Sequence, residues 1–298
     1  MKDSNIFFLG IDGGGTKTEF VLCDSKGKII NNIVTSGCNP NDIGIDKCID
    51  ILKNGCLNLC KDINCNNISV FAGIAGISVA DYSDRVLNLF ESLGFYKFGC
   101  SSDTKIAIKT TLGKKDGIVV IIGTGVAVIG QKNNEIKTFG GYNYLFDRGG
   151  SAYNIGRDAI TYALLCEERQ KVGSPLYEAV KYKCNTDTVY LNLKRFYSEG
   201  KQYIAQFAHC ITDTYQIDTE SQNIIDYNMK CITDIINYVQ KSYLKTDCIH
   251  FVGGLTSQDD KLSHHISKYL DNKCDLHFHK TSIINGALIL AGLKENLC

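Results

Sequence analysis

The segment DGGGTKT, from Asp12 to Thr18, combines an acid, three consecutive glycines, two threonines and a lysine. Glycines let backbone N–H groups converge on an anion, while threonine hydroxyls and a lysine ammonium add donors and positive charge. A carboxylate beside a phosphate is repulsive unless a cation lies between them, and Mg²⁺ suits that position. We therefore predict a phosphate site with Asp12 acting through Mg²⁺, and a turn-stabilising role for Asp12 is the alternative. The predicted phosphate-binding residues are Gly13, Gly14, Gly15, Thr16, Lys17 and Thr18.

The glycines of this segment do not fit the two best-known phosphate motifs. A Walker A loop places Gly and Lys side by side before a helix, but Thr16 separates Gly15 from Lys17. A Rossmann fingerprint also opens a helix, whereas the following TEFVLCD is typical of a strand. A plain hairpin turn needs only two such residues. The segment is therefore predicted to be a phosphate-binding loop that joins two antiparallel strands.

The surroundings of this loop are repeated later in the chain. Residues 6–34 run as apolar strand, glycine loop, strand, turn and third strand, and residues 117–141 repeat this order around Gly123, Thr124 and Gly125. Another apolar run, CIHFVGGLT, ends in Gly253 and Gly254. The repeat predicts a duplicated α/β unit. Helical periodicity predicts helices at 45–62, 81–93, 104–112, 151–170, 187–197, 203–215, 221–244 and 283–294.

A boundary near Asp116 and Gly117 divides the chain into two predicted lobes, 1–116 and 117–298, with a cleft between them. We expect the terminal helix 283–294 to pack back toward the N-terminal lobe. The 298 residues contain 32 basic and 32 acidic side chains, which argues against a bulk attraction to nucleic acid or an anionic membrane. Without a signal peptide, an apolar span or a Cys-x-x-Cys pair, the chain is expected to be cytoplasmic with reduced thiols.

Together, the glycine segments carry a resemblance to a known superfamily. DGGGTKT, Gly123–Gly125 and the Gly253–Gly254 pair resemble the phosphate-1, phosphate-2 and adenosine segments of the actin-like ATPases. Within that superfamily, GGYNYLFDRGGSAYNIG and SIINGALILAG resemble segments of the BadF/BadG/BcrA/BcrD ATPase family, which includes N-acetylglucosamine kinase. The resemblance implies a two-lobed, duplicated ribonuclease H-like α/β fold that binds ATP and Mg²⁺ and phosphorylates an amino sugar.

The resemblance also implies roles for individual residues. Its catalytic base corresponds to Asp103, which follows a predicted strand and begins a short predicted helix. The helix dipole and free N–H groups there would keep a carboxylate ionised, and a simple helix cap is the alternative. The implied substrate-binding residues are Asn39, Gly76, Gly141, Tyr142, Asp147 and Ser151. Asn39 could instead be a turn residue, and Tyr142 could instead belong to the core.

Two positions depart from the family pattern on the substrate side. Arg148 occupies the position of the family's aspartate in a Gly-Asp-Glu-Gly-Ser segment, so that Asp147 comes one residue early. Val126 replaces the serine that ends the family's Gly-Thr-Gly-Ser. These changes leave the identity of the sugar open, whereas most of the residues implied to bind ATP are retained.

The leading prediction from the sequence is an ATP-dependent kinase of N-acetylglucosamine or a close amino sugar. Its partners would be ATP and a small sugar, with a homodimer left open and with no nucleic acid or membrane. One alternative is an ATPase that activates an acyl-CoA dehydratase, against which the scattered cysteines and Asp103 argue. Another is a non-catalytic sugar or nucleotide sensor on the same fold.

Overall fold

The apolar runs of the sequence form strands, and the segments with helical periodicity form helices. The structure, a computed structural model, describes residues 6–61 and 63–297. The strands of this described part are β1 (Phe7–Gly13), β2 (Lys17–Cys23), β3 (Ile29–Ser36), β4 (Ile68–Ile74), β5 (Lys97–Ser101), β6 (Gly117–Ile122), β7 (Val126–Lys132), β8 (Glu135–Phe139), β9 (Cys248–Val252) and β10 (Asp275–Phe278). Its α-helices are α1 (Pro40–Ile43), α2 (Ile45–Leu59), α3 (Tyr82–Ser92), α4 (Asp103–Thr111), α5 (Ala152–Glu168), α6 (Pro175–Cys184), α7 (Leu193–Ala205), α8 (Ala208–Thr214), α9 (Thr219–Ser242), α10 (Asp259–Tyr269) and α11 (Ile284–Ala291).

These elements form two units, each with its own sheet and its own apolar core. The first unit contains the described residues up to Lys114 together with those from Thr281 onward, and the second is Lys115–Lys280. Helix α11 therefore belongs to the first unit, where it packs on α4. Gly286 makes that packing close, because a Cβ at this position would lie 2.1 Å from the Ile106 carbonyl oxygen.

The sheet of the first unit has the order β3-β2-β1-β4-β5. Strand β1 pairs antiparallel with β2 and parallel with β4, and β4 pairs parallel with β5. The carboxyl ends of β1, β4 and β5 therefore lie at one edge of the sheet, where ligands of open α/β sheets commonly bind. Leu9 and Ile11 share one face of β1 and are fully buried, and on the other face a Cβ at Gly10 would lie 3.0 Å from the Leu288 side chain of α11, so both faces of this central strand are covered.

The sheet of the second unit has the order β10-β9-β6-β7-β8. Strand β6 pairs antiparallel with β7 and parallel with β9, and β9 pairs parallel with β10. This repeats the first sheet strand for strand, with β6 in the place of β1. The predicted α/β class and its duplicated unit are therefore confirmed.

Some helix predictions were wrong, mainly in the second unit. The predicted helix 187–197 begins only at Leu193, the first residue of α7. Residues 187–192 form a turn instead, because the Glu167 carboxylate accepts the backbone N–H groups of Val189 and Tyr190 at 2.6 and 3.1 Å. The predicted helix 203–215 is divided between α7 and α8. Helices α1, α6 and α10 were not predicted. The predicted helix 45–62 ends at Leu59, and position 62 lies outside the described residues.

None of the described helices combines the length and the apolar character that are needed to cross a membrane. The helices instead cover the sheets. Phe20 of β2, for example, is fully buried and packs so closely on α2 that a Cβ at Gly55 would lie 2.3 Å from its ring. Side-chain volume at such positions is tightly constrained, as in other close-packed protein interiors.

Candidate active site

The first glycine loop is a short hairpin between β1 and β2. Gly13 and Thr18 form the last pair of the two strands, and the Gly14 N–H donates to the Lys17 carbonyl at 2.9 Å. Gly14, Gly15, Thr16 and Lys17 therefore form the tip, as the sequence predicts. The side chains of Thr16 and Lys17 are exposed at the tip of the loop.

Asp12 lies at the end of β1 in an acidic environment. Its partner on β2 is Glu19, and like charges opposite each other on paired strands repel. Burial raises the pKa of Asp12 to about 7, with further contributions from the negative charges of Asp103 and Glu19, while Lys17 lowers it. A cation at this position would relieve the repulsion. Within residues 6–61 and 63–297, no three His, Cys, Asp or Glu side chains could hold a metal ion together, so any Mg²⁺ here would take its other ligands from phosphate and water.

Asp103 is the first residue of α4, directly after β5. Ser102 is the N-cap, and the Asp103 carboxylate accepts the Thr104 N–H at 2.9 Å. Burial nevertheless raises the pKa of Asp103 to about 6, although the N–H groups of Thr104 and Asp103 lower it. Burial therefore outweighs the helix terminus that was expected to favour the charged form. A carboxylate with this pKa is ionised at neutral pH and basic enough to accept a proton.

A segment that the sequence analysis overlooked lies behind the first loop. The Cys38 N–H donates to the Gly14 carbonyl at 3.1 Å, and a Cβ at Gly13 would lie 2.5 Å from the Cys38 sulfur. A Cβ at Gly37 would lie 2.0 Å from the Gly15 carbonyl oxygen. Gly37 and Cys38 thus fix the position of the loop. The only sequence signal was the glycine itself, because nothing in the local pattern indicates which segment will lie against it.

Asn39 and Gly76, two predicted substrate residues, lie next to each other. A Cβ at Gly76 would lie 2.4 Å from Asn39 Oδ1, and Gly76 has a φ of +78°. Asn39 is the N-cap of α1, and its Oδ1 accepts the Asn41 N–H at 3.0 Å. Asn39 therefore has the turn role that the sequence left open. The turn uses the Asn39 side-chain oxygen, and sugar binding by Asn39 remains a prediction.

The second glycine loop joins β6 and β7 in the same way. The Gly123 N–H donates to the Gly125 carbonyl at 2.9 Å, directly after the last strand pair, Ile122 and Val126. A Cβ at Gly125 would meet no atom within 4 Å, so packing does not require a glycine there. The backbone instead borders open space, as a phosphate cradle would. Val126, which replaces the family's serine, is buried at the start of β7.

Gly253 and Gly254 follow β9, and a side chain would fit at the second of them but not at the first. Gly253 has a φ of +112°, and a Cβ there would lie 2.6 Å from the Ile122 carbonyl oxygen at the end of β6. A Cβ at Gly254 would meet nothing within 4 Å. Gly253 therefore sets the backbone, whereas Gly254 leaves room beside the chain for a ligand.

Residues 141–148 form a largely exposed turn before α5, whereas the following Gly149, Gly150 and Ser151 are buried. Gly141 has a φ of +73°, and Tyr142 is 70% exposed, which excludes the core role considered for this tyrosine. Asp147 accepts the Tyr142 N–H at 3.0 Å. Arg148 is exposed.

Two predicted ligand residues, Thr18 and Ser151, are buried and use their hydroxyls in hydrogen bonds within the fold. Thr18 is fully buried, and its hydroxyl donates to the Ser36 carbonyl at 2.8 Å, so it joins β2 to β3 and does not face the loop surface. Ser151 is 2% exposed and caps α5 in a reciprocal bond pattern with Asn154. The Thr18 hydroxyl therefore adds a side-chain bond between β2 and β3, and the Ser151 hydroxyl caps α5.

An α/β protein with two sheets of the same order, each with a glycine loop after its central strand, has the architecture of the actin-like ATPases. Residues 9–288 match the BadF/BadG/BcrA/BcrD ATPase family, and the chain belongs to this family. The predicted resemblance is thereby confirmed. Membership of an ATPase family also supports the predicted use of ATP.

Among its relatives, the N-acetylmuramic acid/N-acetylglucosamine kinase of Clostridium acetobutylicum is 24% identical over 96% of this chain and 98% of that protein. The N-acetyl-D-glucosamine kinase of Dictyostelium discoideum is 26% identical over 80% of each chain. A provisionally assigned N-acetylglucosamine kinase from Chromobacterium violaceum superimposes with a TM-score of 0.79 at 17% identity, covering 97% of this chain and 99% of that one. The last likeness shows a common fold.

Proposed function

We propose that this chain is a kinase that transfers the γ-phosphate of ATP to a hydroxyl group of N-acetylglucosamine or a closely related amino sugar. Family membership and the two kinase relatives support the reaction class. The observation that carries the proposal is the pair Asp12 and Asp103, which lie close enough for the charge of one to raise the pKa of the other. Asp12 lies at the carboxyl end of β1 and Asp103 follows β5, and the carboxyl ends of these two strands share one sheet edge beside the first glycine loop.

Asp103 is proposed as the general base. Its carboxylate would accept the proton of the sugar hydroxyl as the oxygen attacks the γ-phosphorus and the bond to ADP breaks. A pKa of about 6 suits this task, because the group is ionised at neutral pH and still takes up a proton readily. Phosphoryl transfer requires little covalent chemistry from the protein, so positioning and charge neutralisation supply most of the rate enhancement.

The glycine loops are proposed to hold the phosphates. In the first unit, Gly13–Gly15, Thr16 and Lys17 would supply N–H groups, a hydroxyl and an ammonium. In the second unit, Gly123, Thr124 and Gly125 would supply a second cradle, and Gly253 and Gly254 would border the adenosine. Asp12 would hold a Mg²⁺ ion that arrives with ATP, and this ion would neutralise phosphate charge.

Each unit by itself contains residues that we propose as sugar contacts. In the first unit, Asn39 and Gly76 are the proposed contacts, and they lie directly against each other. In the second unit, Gly141, Tyr142 and Asp147 belong to the exposed turn before α5. Tyr142 offers an aromatic face, whereas Asp147 acts by holding the turn.

A coupled assay of ADP release tests the proposal. Purified protein with Mg·ATP would be offered N-acetylglucosamine, N-acetylmannosamine, N-acetylmuramic acid, glucosamine and glucose, with product mass measured in parallel. We expect sugar-dependent ADP release with an N-acetylated sugar, together with a product heavier by one phosphate. ATP binding without phosphorylation of any sugar in the panel would overturn the kinase proposal.

A further inference from the structure

Two histidine rings meet at the edge of the second sheet. His250 lies on β9, His279 follows β10, and His250 Nδ1 is 2.8 Å from His279 Nε2. At this distance the two nitrogens share one hydrogen, so one of them donates it and the other accepts it through its lone pair. Both side chains are only partly buried, so the pair is open to a small ligand from solvent.

Neighbouring groups hold both histidines in place. The second nitrogen of the His250 ring, Nε2, lies 3.4 Å from the Cys248 sulfur. The His279 N–H donates to the Phe251 carbonyl at 2.9 Å, and the His279 carbonyl accepts the Thr256 hydroxyl at 2.7 Å. A partner on the far side of an imidazole fixes how the ring is turned, as it does for histidines that bind metals. The His250 ring and the His279 backbone are therefore fixed before any ligand arrives.

A third histidine is equally near but is oriented differently. His277 is the direct partner of His250 in the pairing of β9 with β10, and the two rings stack with centroids 5.0 Å apart and planes 22° apart. The lone pair of an imidazole nitrogen lies in the plane of its ring, so a stacked ring does not aim a nitrogen at its neighbour. In the part of the chain that the structure describes, no group of three His, Cys, Asp or Glu side chains is placed to hold a metal ion. A metal ion here would therefore have two protein ligands and take water as the others.

We propose that His250 Nδ1 and His279 Nε2 bind a divalent transition-metal ion of the zinc type. Imidazole is a preferred ligand of Zn²⁺, Ni²⁺ and Cu²⁺, whereas Mg²⁺ takes oxygen ligands, so this site is distinct from the one proposed for Mg·ATP. The ion would replace the shared hydrogen, which would move to the second nitrogen of the same ring. Zn–N bonds of about 2.1 Å at a tetrahedral centre place two nitrogens about 3.4 Å apart, so the pair would open by about 0.6 Å. The inference does not depend on the proposed kinase function.

The pair is also connected to the turn after β9. The Thr256 hydroxyl that donates to the His279 carbonyl also lies 2.8 Å from the Gly253 carbonyl oxygen. Gly253 begins the turn that contains the second pair of glycines. An ion bound by His250 and His279 would therefore link β9 to the segment after β10 and restrain the backbone that this turn is built on.

NMR of the full chain labelled with ¹⁵N at histidine identifies the ligands without an activity assay. Zn²⁺ would be titrated at neutral pH, and each of the six histidines would be assigned from the resonance lost in its Gln variant. We expect Nδ1 of His250 and Nε2 of His279 to shift together, with little change at His277. Zn²⁺ bound by cysteines would leave these nitrogens unchanged. A titration that shifts no histidine nitrogen, or only those of other histidines, would overturn the inference.

Calorimetry with Ni²⁺ measures the contribution of each side chain. His250→Gln and His279→Gln should each weaken binding at least about tenfold, and His277→Gln should change it less than about threefold. Lys115→Gln should strengthen binding about two- to fivefold, since the Lys115 charge reaches His250 and repels a cation. His209→Gln, which removes an exposed imidazole of α8, is the matched control and should have no effect.

The variants also distinguish this pair from the spacing that the sequence offers. His277 and His279 are two residues apart, as in a strand that chelates a metal through one face. If His277→Gln weakens Ni²⁺ binding as much as His279→Gln while His250→Gln does not, the assigned ligands are wrong. Thermal melts in a chelator establish that each variant is folded. The ¹⁵N titration of the wild type decides the question even if one variant does not fold.

Discussion

Asp103→Asn should affect stability and turnover in opposite directions. Asparagine has the same shape and keeps an oxygen to accept the Thr104 N–H, so the start of α4 is preserved. Burial raises the pKa of Asp103 from 3.8 to about 6, and about two pKa units correspond to about 3 kcal/mol. The charged form therefore destabilises the folded state by at most about this amount, because the side chain is only partly buried.

The sign of the pH dependence follows from the raised pKa. Between about pH 4 and 6 the folded protein binds more protons at Asp103 than the unfolded chain does, so the free energy of unfolding falls as the pH rises through this window. At pH 7.5 the Asn variant should be more stable than the wild type by about 1–3 kcal/mol, and near pH 4 the difference should be small. Turnover should fall by about 10²–10⁴-fold, the usual contribution of a positioned acid–base group.

Urea denaturation at both pH values measures the stability, and the ADP-release assay measures kcat. Asp84→Asn is the control, since Asp84 also lies in the first turn of a helix but is exposed. It should leave both quantities unchanged. If Asp103→Asn is no more stable than the wild type at pH 7.5, burial of the charged carboxylate does not destabilise the folded state. If it also turns over at a near-normal rate, Asp103 is not the base.

Three further substitutions test the loops. Gly125→Val should abolish ATP binding measured by calorimetry and leave the thermal melt unchanged, since a Cβ there meets no protein atom within 4 Å; retained affinity would exclude the second loop from the nucleotide site. Asp12→Asn should lower activity, and additional Mg²⁺ should partly restore it; full activity at low Mg²⁺ would leave Asp12 as a turn residue only. Gly37→Ala should raise the KM for ATP at least about tenfold, because its Cβ would lie 2.0 Å from the Gly15 carbonyl oxygen and must displace the loop. An unchanged KM would show that the loop tolerates the shift.

The sequence predicted much of the fold because its signals are local. The apolar runs around Gly13 and Gly123 indicated strands, and their common order indicated the duplication that the two sheets display. Helix boundaries were less predictable where distant side chains decide them. The Glu167 carboxylate, for example, holds Val189 and Tyr190 in a turn, and no pattern within 187–197 indicates that contact.

The sequence by itself determined the chemistry available at the candidate site, because glycine, threonine, lysine and aspartate can be identified without coordinates. Only the tertiary structure decided which of them share an environment. It brought Asp103 close to Asp12, placed Gly37 behind the first loop and buried the Thr18 hydroxyl. The physical reason is that strand order and packing place side chains together that are far apart in the sequence, and burial then sets their pKa values and hydrogen-bond partners.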